Sequence, residues 1–146
     1  MPDSQDIDTA LLTKLSSDPT LLSYMPDNVW FDEAPPQSQN FVARRFVRIT
    51  LVDEHDESRF ESRAFEEARY LVLAVALSTA PNAAANVKSA AARIDELSEG
   101  ATLMVSGYST MVVERESRIR TTEVDDVDPT VRWYHRGGQY RVVMST

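Results

Sequence analysis

Two histidines and the carboxylates beside them are the residues whose types could carry out chemistry. His55 and His135 are the only histidines, and the run His55-Asp56-Glu57 offers an imidazole and two carboxylates as possible metal ligands. Metal ligands converge from rigid elements, whereas this run lies in a segment that predicts a loop and has no second histidine four residues away. The pattern therefore favours a solvated connector, and we expect no metal ion and no cofactor.

Other catalytic patterns are missing from the sequence. No Gly-x-Ser-x-Gly pattern marks a serine nucleophile, and the glycines at positions 100, 107, 137 and 138 form neither a Walker loop nor a dinucleotide fingerprint. Cysteine is absent, which excludes disulfides, thiolate nucleophiles and cysteine-based zinc sites. We predict that the chain is not an enzyme. A small metal-dependent hydrolase using His55, His135 and nearby carboxylates is the alternative from that class.

Two groups of carboxylates fall in segments that predict loops. The first group is Asp53, Glu54, Asp56 and Glu57, and the second is Glu123, Asp125, Asp126 and Asp128. The second group has neither the regular ligand spacing nor the glycine that calcium-binding loops use for their sharp turn. We interpret both groups as solvated or interface-facing loops.

Length and charge limit the classes of function. The 146 residues suffice for one core, and we expect an acidic N-terminal arm over residues 1–8 before a single domain over residues 9–146. The formal net charge of −8 disfavours tight DNA binding, because affinity for phosphates comes largely from Lys and Arg. The longest apolar run, residues 71–77, is far shorter than the roughly 20 residues that cross a bilayer. We expect a soluble protein that does not bind membranes.

Helices are predicted in three places along the chain. Asp8 or Thr9 caps the first helix, and the pair Asp18-Pro19 begins a short second one because Asp caps well and Pro suits the first helical position. The third runs over residues 82–97, where apolar residues recur at helical spacing, and Gly100 ends it.

Strand patterns occupy much of the remaining chain. The segments are residues 29–31 at a sheet edge, 41–52, 70–77, 102–105, 108–114 and 140–144. The run 70–77 is too short for periodicity to separate a buried strand from a buried helix, and its abrupt stop at Ser78, Thr79, Pro81 and Asn82 favours a central strand. Arg45 is out of phase with Arg44 and Arg48, which predicts a bulge or a late strand start. Residues 53–58 predict a polar connector, and Gly137-Gly138 predicts a bulge or turn before the last strand. The order predicts an α+β fold, a two-layer domain with a mainly antiparallel twisted sheet of four to five strands and helices packed on one face.

The order of these motifs resembles the tail terminator, or tail completion, proteins of long-tailed bacteriophages. The resemblance covers nearly the whole chain, from Leu15-Ser16-Ser17-Asp18-Pro19 to Tyr140-Arg141-Val142. Its most telling part is the apolar run at 70–77, a helix containing Ala91-Ala92-Arg93-Ile94-Asp95, then Gly107-Tyr108 and His135-Arg136-Gly137-Gly138-Gln139-Tyr140. In one departure, many relatives carry a proline just before the strand that begins here at Phe41, and this chain has Asn40.

The resemblance implies a structural virion protein without catalytic residues. Such proteins form a six-membered ring on the last ring of tail tube subunits, stop tube polymerisation and present a surface to the head connector. For this chain it implies a homohexamer at the head-proximal end of the tail, assembled in the host cytoplasm, with the tail tube protein and the head-tail connector or stopper protein as partners. A head-completion or connector (stopper) subunit is the neighbouring alternative.

The resemblance also gives the charged residues a role. Six copies at −8 each would carry −48 around a channel through which DNA passes without specific binding, so we expect one of the two acidic loops to line that channel. Arginine forms bidentate contacts with carboxylates, which suits contacts with a neighbouring subunit or the tube. The candidate interface residues are Arg115, Arg118, Arg120, Arg136 and Tyr140.

Overall fold

The computed structural model describes residues 4–32, 44–59 and 62–145. Within them lie the helices α1 (Ser4–Ser16), α2 (Pro19–Tyr24) and α3 (Ala83–Ser98) and the strands β1 (Val29–Phe31), β2 (Arg45–Arg59), β3 (Ser62–Leu77), β4 (Ser109–Val124) and β5 (Arg132–Ser145). The strands form one sheet in the order β1-β2-β3-β5-β4, in which β1 pairs parallel to β2 and every other pair is antiparallel. The predicted α+β fold with a mainly antiparallel sheet is confirmed.

The helices cover one face of the sheet. In α1, Ile7, Leu11 and Leu15 are buried at four-residue spacing, so one stripe of the helix faces the core. α1 begins at Ser4, earlier than the predicted cap at Asp8 or Thr9. None of the described helices combines the length and the apolarity needed to span a membrane.

Asp18 fixes the start of α2 and also joins it to α3. Its side chain accepts a hydrogen bond from the Leu21 amide at 2.8 Å, and Pro19 stands at the first helical position, as predicted. The guanidinium of Arg93 on α3 binds the same carboxylate through Nε at 2.9 Å and Nη2 at 2.8 Å. This pairing is the main reason that the pKa of Asp18 lies below its usual value.

The second half of β3 is the centre of the core, which confirms the predicted central strand. Val72 and Ala74 face the helices, whereas Leu73 and Val75 face away from them, and all are buried. On the helix-free face a smaller apolar cluster gathers around Phe46, Leu73 and Val75. The predicted edge strand is also confirmed, since β1 lies at the end of the strand order.

The segment predicted as a polar connector, residues 53–58, is instead part of β2. β2 and β3 continue as a long hairpin to the pair Arg59 and Ser62, and Asp53 lies opposite Arg69. The ladder supplies backbone hydrogen bonds whatever the side chains are, so polar residues can extend a strand beyond the core. The start of β2 at Arg45, after Arg44 with φ of 60°, confirms the late strand start, while residues 41–43 lie outside the described residues.

Two other predictions about strands were wrong. Residues 102–105 belong to no ladder, and the Leu103 amide donates to the side-chain hydroxyl of Thr110 in β4 at 2.9 Å, a bond that is not part of a backbone ladder. Gly137 and Gly138 lie inside β5, where they pair with Leu73 and Val72 in continuous register, and so in neither a turn nor a bulge of that ladder. A Cβ at Gly137 would lie 1.9 Å from the Val72 carbonyl oxygen, so glycine is needed there for the close approach of β5 to β3.

Candidate assembly surface

The five arginine and tyrosine residues predicted at an interface all line one cleft. Arg115, Arg118 and Arg120 come from β4 and lie opposite Tyr140, Gly138 and Arg136 of β5, respectively. The cleft has a volume of about 470 Å³, and α3 forms its other wall. The residues contributed by α3 are Lys88, Ala91, Ala92, Asp95 and Glu96. We call this site the basic cleft.

Two of the five residues are already bonded to α3 within the same chain. Arg115 pairs with Asp95 at 2.9 Å, and the Tyr140 hydroxyl donates to the other oxygen of Asp95 at 3.0 Å. Tyr140 is only 1% exposed, and burial together with the nearby Asp95 carboxylate raises its pKa. Arg115 and Tyr140 therefore join α3 to the sheet and are already engaged within the chain.

The remaining cations of the basic cleft have no carboxylate partner within the described residues. They are Lys88, Arg118, Arg120 and Arg136. The two acidic residues of the cleft do not neutralise them, because Asp95 pairs with Arg115 and Glu96 pairs with Arg93 at 2.9 Å. The cleft is therefore a positively charged surface in a chain of net charge −8.

The second acidic group lies at the turn between β4 and β5, and it is ordered by its own carboxylates. Glu123 is still in β4 and not in a loop, which corrects the prediction for that residue. Asp125 accepts hydrogen bonds from the Trp133 indole at 3.0 Å and from the Asp128 amide at 2.9 Å. Asp128 accepts from the Thr130 amide at 3.0 Å. These bonds lower the pKa of both carboxyls, chiefly through Trp133 for Asp125 and through Thr130 for Asp128.

The same turn exposes an apolar side chain among its acids. Val127 is 92% exposed and lies between Asp126 and Asp128. Residues 125–131 form the connection between the two strands, and we call them the β4–β5 tip. Asp126 is exposed, and no bond within the described residues engages its side chain.

The first acidic group lies in a strand, which corrects its prediction as a loop. Asp53, Glu54, Asp56 and Glu57 pair along the β2–β3 hairpin with Arg69, Ala68, Glu66 and Phe65. Asp53 contacts the Arg69 guanidinium at 3.3 Å. Opposite charges placed directly across an antiparallel pair stabilise it.

Arg69 belongs to a charge network that crosses the helix-free face. It contacts Glu67 at 2.8 Å and Glu116 at 2.9 Å, while Arg141 contacts Glu67 at 2.7 Å and Glu114 at 2.8 Å. These carboxylates raise the pKa of Arg141, first through Glu67 and then through Glu114. Sequence analysis missed this network, since cross-strand pairs can be found only once the strand register is known.

The two histidines are far apart. His55 lies opposite Glu67 and His135 opposite Val75, which places them eight residues apart along β3, about 26 Å. His135 is 8% exposed, and burial is the main cause that lowers its pKa. Among the described residues no group of three or more histidines and acids is placed to hold a metal ion. The geometry therefore does not bring together the residues of the hydrolase alternative.

Sequence analysis missed two features of this surface. Lys88 lies in the third helix and is not among the predicted interface residues, although it faces the same cleft as Arg118 and Arg120. Val127 stands between acidic residues and is not among the predicted interface residues either. An apolar residue flanked by carboxylates in a short turn is a signal that could have been noticed.

Comparisons with known proteins support the fold. No protein-family model matches the chain, and no curated protein matches it. A chain from the "Virion of native gene transfer agent (GTA) particle" matches with a TM-score of 0.63 and 18% identity, over 98% of this chain and 97% of that one. A second solved structure matches with a TM-score of 0.56 and 13% identity, over 97% of this chain and 96% of that one. The chain therefore shares its fold with both over nearly its full length.

Proposed function

We propose that this chain is a structural, non-enzymatic component of a phage or phage-derived particle. The shared fold with a chain of a gene transfer agent virion supports this proposal, because it extends over 98% of the chain. The resemblance of its motifs to phage tail terminators is a separate argument for the same class. The wide separation of His55 and His135 gives no support to the hydrolase alternative.

Within that class, the function that we propose is the termination of a tail. Six copies form a ring on the last ring of tube subunits at the head-proximal end, stop polymerisation and provide the joint to the head connector. The observation that supports a ring is the segregation of charge: the basic cleft holds cations that pair with no described carboxylate, and exposed carboxylates such as Asp126 lie elsewhere. Two different complementary patches on one subunit make a heterologous contact, which closes into a ring when the rotation allows it.

The β2–β3 hairpin is our candidate for the channel lining. Residues 53, 54, 56 and 57 are all acidic, they occupy positions in a paired strand, and none of them is among the residues that line the basic cleft. A wall of like charge repels the phosphates of passing DNA and so favours sliding without specific binding. In this arrangement residues 9–146 act as one assembly domain, together with the start of α1, whose Ile7 packs in the same core.

Electron microscopy of tails assembled with and without the protein tests this function. We expect tails of defined length when it is present and overlong tails when it is absent, with rings of the protein at the head-proximal end. Tails of normal length that fail to join heads would instead favour a connector or stopper subunit. Particles in which the protein lies away from the junction of head and tail would contradict both.

A further inference from the structure

We propose that the β4–β5 tip of one copy docks into the basic cleft of the next copy. The inference rests on the proposed ring and names the two surfaces that close it. Each contact would place the carboxylates and the valine of one tip against the cations and alanines of one cleft. Charge complementarity within a single sequence identifies the occupant as a second copy of this chain.

The basic cleft has the chemistry to receive an acidic segment. Arg118, Arg120 and Arg136 are arranged on two paired strands, and Lys88 faces them from α3. Arginine binds carboxylates through two parallel N–H groups, so several arginines on one surface favour a partner with several carboxylates. Ala91 and Ala92 add an apolar wall that an aliphatic side chain can contact.

The β4–β5 tip has the complementary chemistry and is already ordered. Asp125 and Asp128 hold the turn through their hydrogen bonds, which leaves Asp126 and the end of β4 at Glu123 exposed for a partner. Val127 is 92% exposed and would lose contact with water on docking. Because the turn is fixed in advance, little conformational entropy is lost when it binds.

The tip cannot occupy the cleft of its own copy. β4 continues for four residues beyond Arg120 to Val124, about 13 Å along the strand, before the tip begins. The bond between Asp125 and Trp133 fixes the tip to the end of the same hairpin. A contact between tip and cleft therefore joins two copies through different surfaces, which is the arrangement that a closed ring requires.

Charge reversal on each surface tests the contact. The cleft variant carries Arg118→Glu with Arg120→Glu, and the tip variant carries Glu123→Lys with Asp126→Lys. We expect each variant alone to lose self-association by roughly tenfold or more, because like charges then meet at every contact. A mixture of the two should regain rings, since the reversed tip fits the reversed cleft and the two native surfaces still fit each other. Native mass spectrometry measures the copy number in each sample.

The controls separate this inference from the proposed function. Lys14→Glu reverses one cation in α1, outside the basic cleft, and should form rings as the unchanged chain does. Rings that persist in both charge-reversal variants would overturn the docking contact and leave the tail-terminating function standing. An unchanged chain that forms no ring, free or on isolated tail tubes, would instead overturn the proposed function. Cleft variants that keep the ring but lose retention on a DNA duplex would overturn the docking contact in favour of a phosphate site.

Disulfide trapping gives an independent test, because the chain has no cysteine of its own. Val127→Cys combined with Ala92→Cys places one thiol on the tip and one in the cleft. We expect mild oxidation to give a ladder of linked copies that ends at the ring number, whereas each single variant gives dimers at most. Rings that form without any ladder would contradict the contact.

Discussion

On the helix-free face of the sheet, Arg69 and Arg141 each contact two or more carboxylates, whereas Arg118 and Arg120 in the basic cleft have none within the described residues. All four are arginines on neighbouring strands of one sheet. Residue type and strand position therefore do not decide whether a cation supports the fold or is left for a partner. The decisive factor is which carboxylates the register brings to the same face.

The largest effect on stability is expected at Gly137, where β5 closely approaches β3. This strand pair lies between the charge network of the helix-free face and the basic cleft. Gly137→Ala would place a Cβ 1.9 Å from the Val72 carbonyl oxygen and should reduce the free energy of unfolding by about 3 kcal/mol. Gly100→Ala is the matched control. Its Cβ meets nothing within 4 Å, and its positive φ of 70° alone should cost about 1 kcal/mol. Chemical denaturation measures both, and equal losses would show that β5 can move away from β3.

A smaller effect is expected when the charge network loses one arginine. Arg141→Ala removes the ion pairs of Arg141 with Glu67 and Glu114. The free energy of unfolding should fall by about 1 kcal/mol, a small amount because both ion pairs are partly solvated. Ring formation should be unchanged because this face lies away from the basic cleft. Sedimentation velocity measures association. A loss of rings without a loss of stability would show that the helix-free face serves assembly and not stability, which would contradict our assignment.

The tip should respond to pH only under acidic conditions. Hydrogen bonds, first that from Trp133, lower the pKa of Asp125, so its contribution to stability is complete above the pKa of unfolded Asp, about 3.9. That contribution is lost as the pH falls through the lower folded value. The indole N–H resonance of Trp133 should therefore stay constant from pH 7 to about pH 5 and shift below about pH 4. Asp125→Asn should remove this shift, and a change already near pH 6 would contradict the assignment.

The smallest effect on stability is expected in the basic cleft. Arg118→Ala with Arg120→Ala removes cations that pair with no carboxylate in the described part of the chain and should change the free energy of unfolding by less than about 0.5 kcal/mol. Ring formation or capping of the tube should weaken nonetheless. Denaturation and sedimentation on the same samples check both parts. A loss of stability as large as that of Arg141→Ala would show that the cleft arginines support the fold as much as Arg141 does, which would contradict the difference that we describe.

Much of the fold could be predicted from local patterns. Asp18-Pro19 identified the start of α2, because capping leaves a local signal. The apolar run at 70–77 fits a buried helix as well as a buried strand, and the abrupt stop that follows it is the local signal that favoured the central strand. The polar half of β2 was missed, since its order comes from pairing with β3 and not from its own residues. Gly137-Gly138 predicted a bulge or turn, whereas glycine is needed at position 137 for the close approach to Val72. That contact joins residues far apart in sequence, so no local pattern shows it.

The sequence predicted individual residues of the candidate site but not that they line one cleft. Arg118 and Arg120 could be selected because two-residue spacing puts them on one side of a strand. Their grouping with Arg136 depends on the register of β4 against β5, and their grouping with Lys88 depends on how α3 packs. The engagement of Arg115 by Asp95 also requires tertiary contacts. Long-range geometry, which one sequence does not display, accounts for what was missed.

The irregularity in β4 between Arg115 and Ser117 has a consequence for how such a surface can change. In a regular strand, residues 115 and 118 would point in opposite directions, because their separation is odd. The extra residue restores the phase, so Arg115, Arg118 and Arg120 all reach the same cleft. Deleting a single codon at this point would turn the outer half of the strand over and move its arginines to the other side of the protein. The loss of one residue, with every arginine kept, would then exchange the surface that neighbouring copies meet.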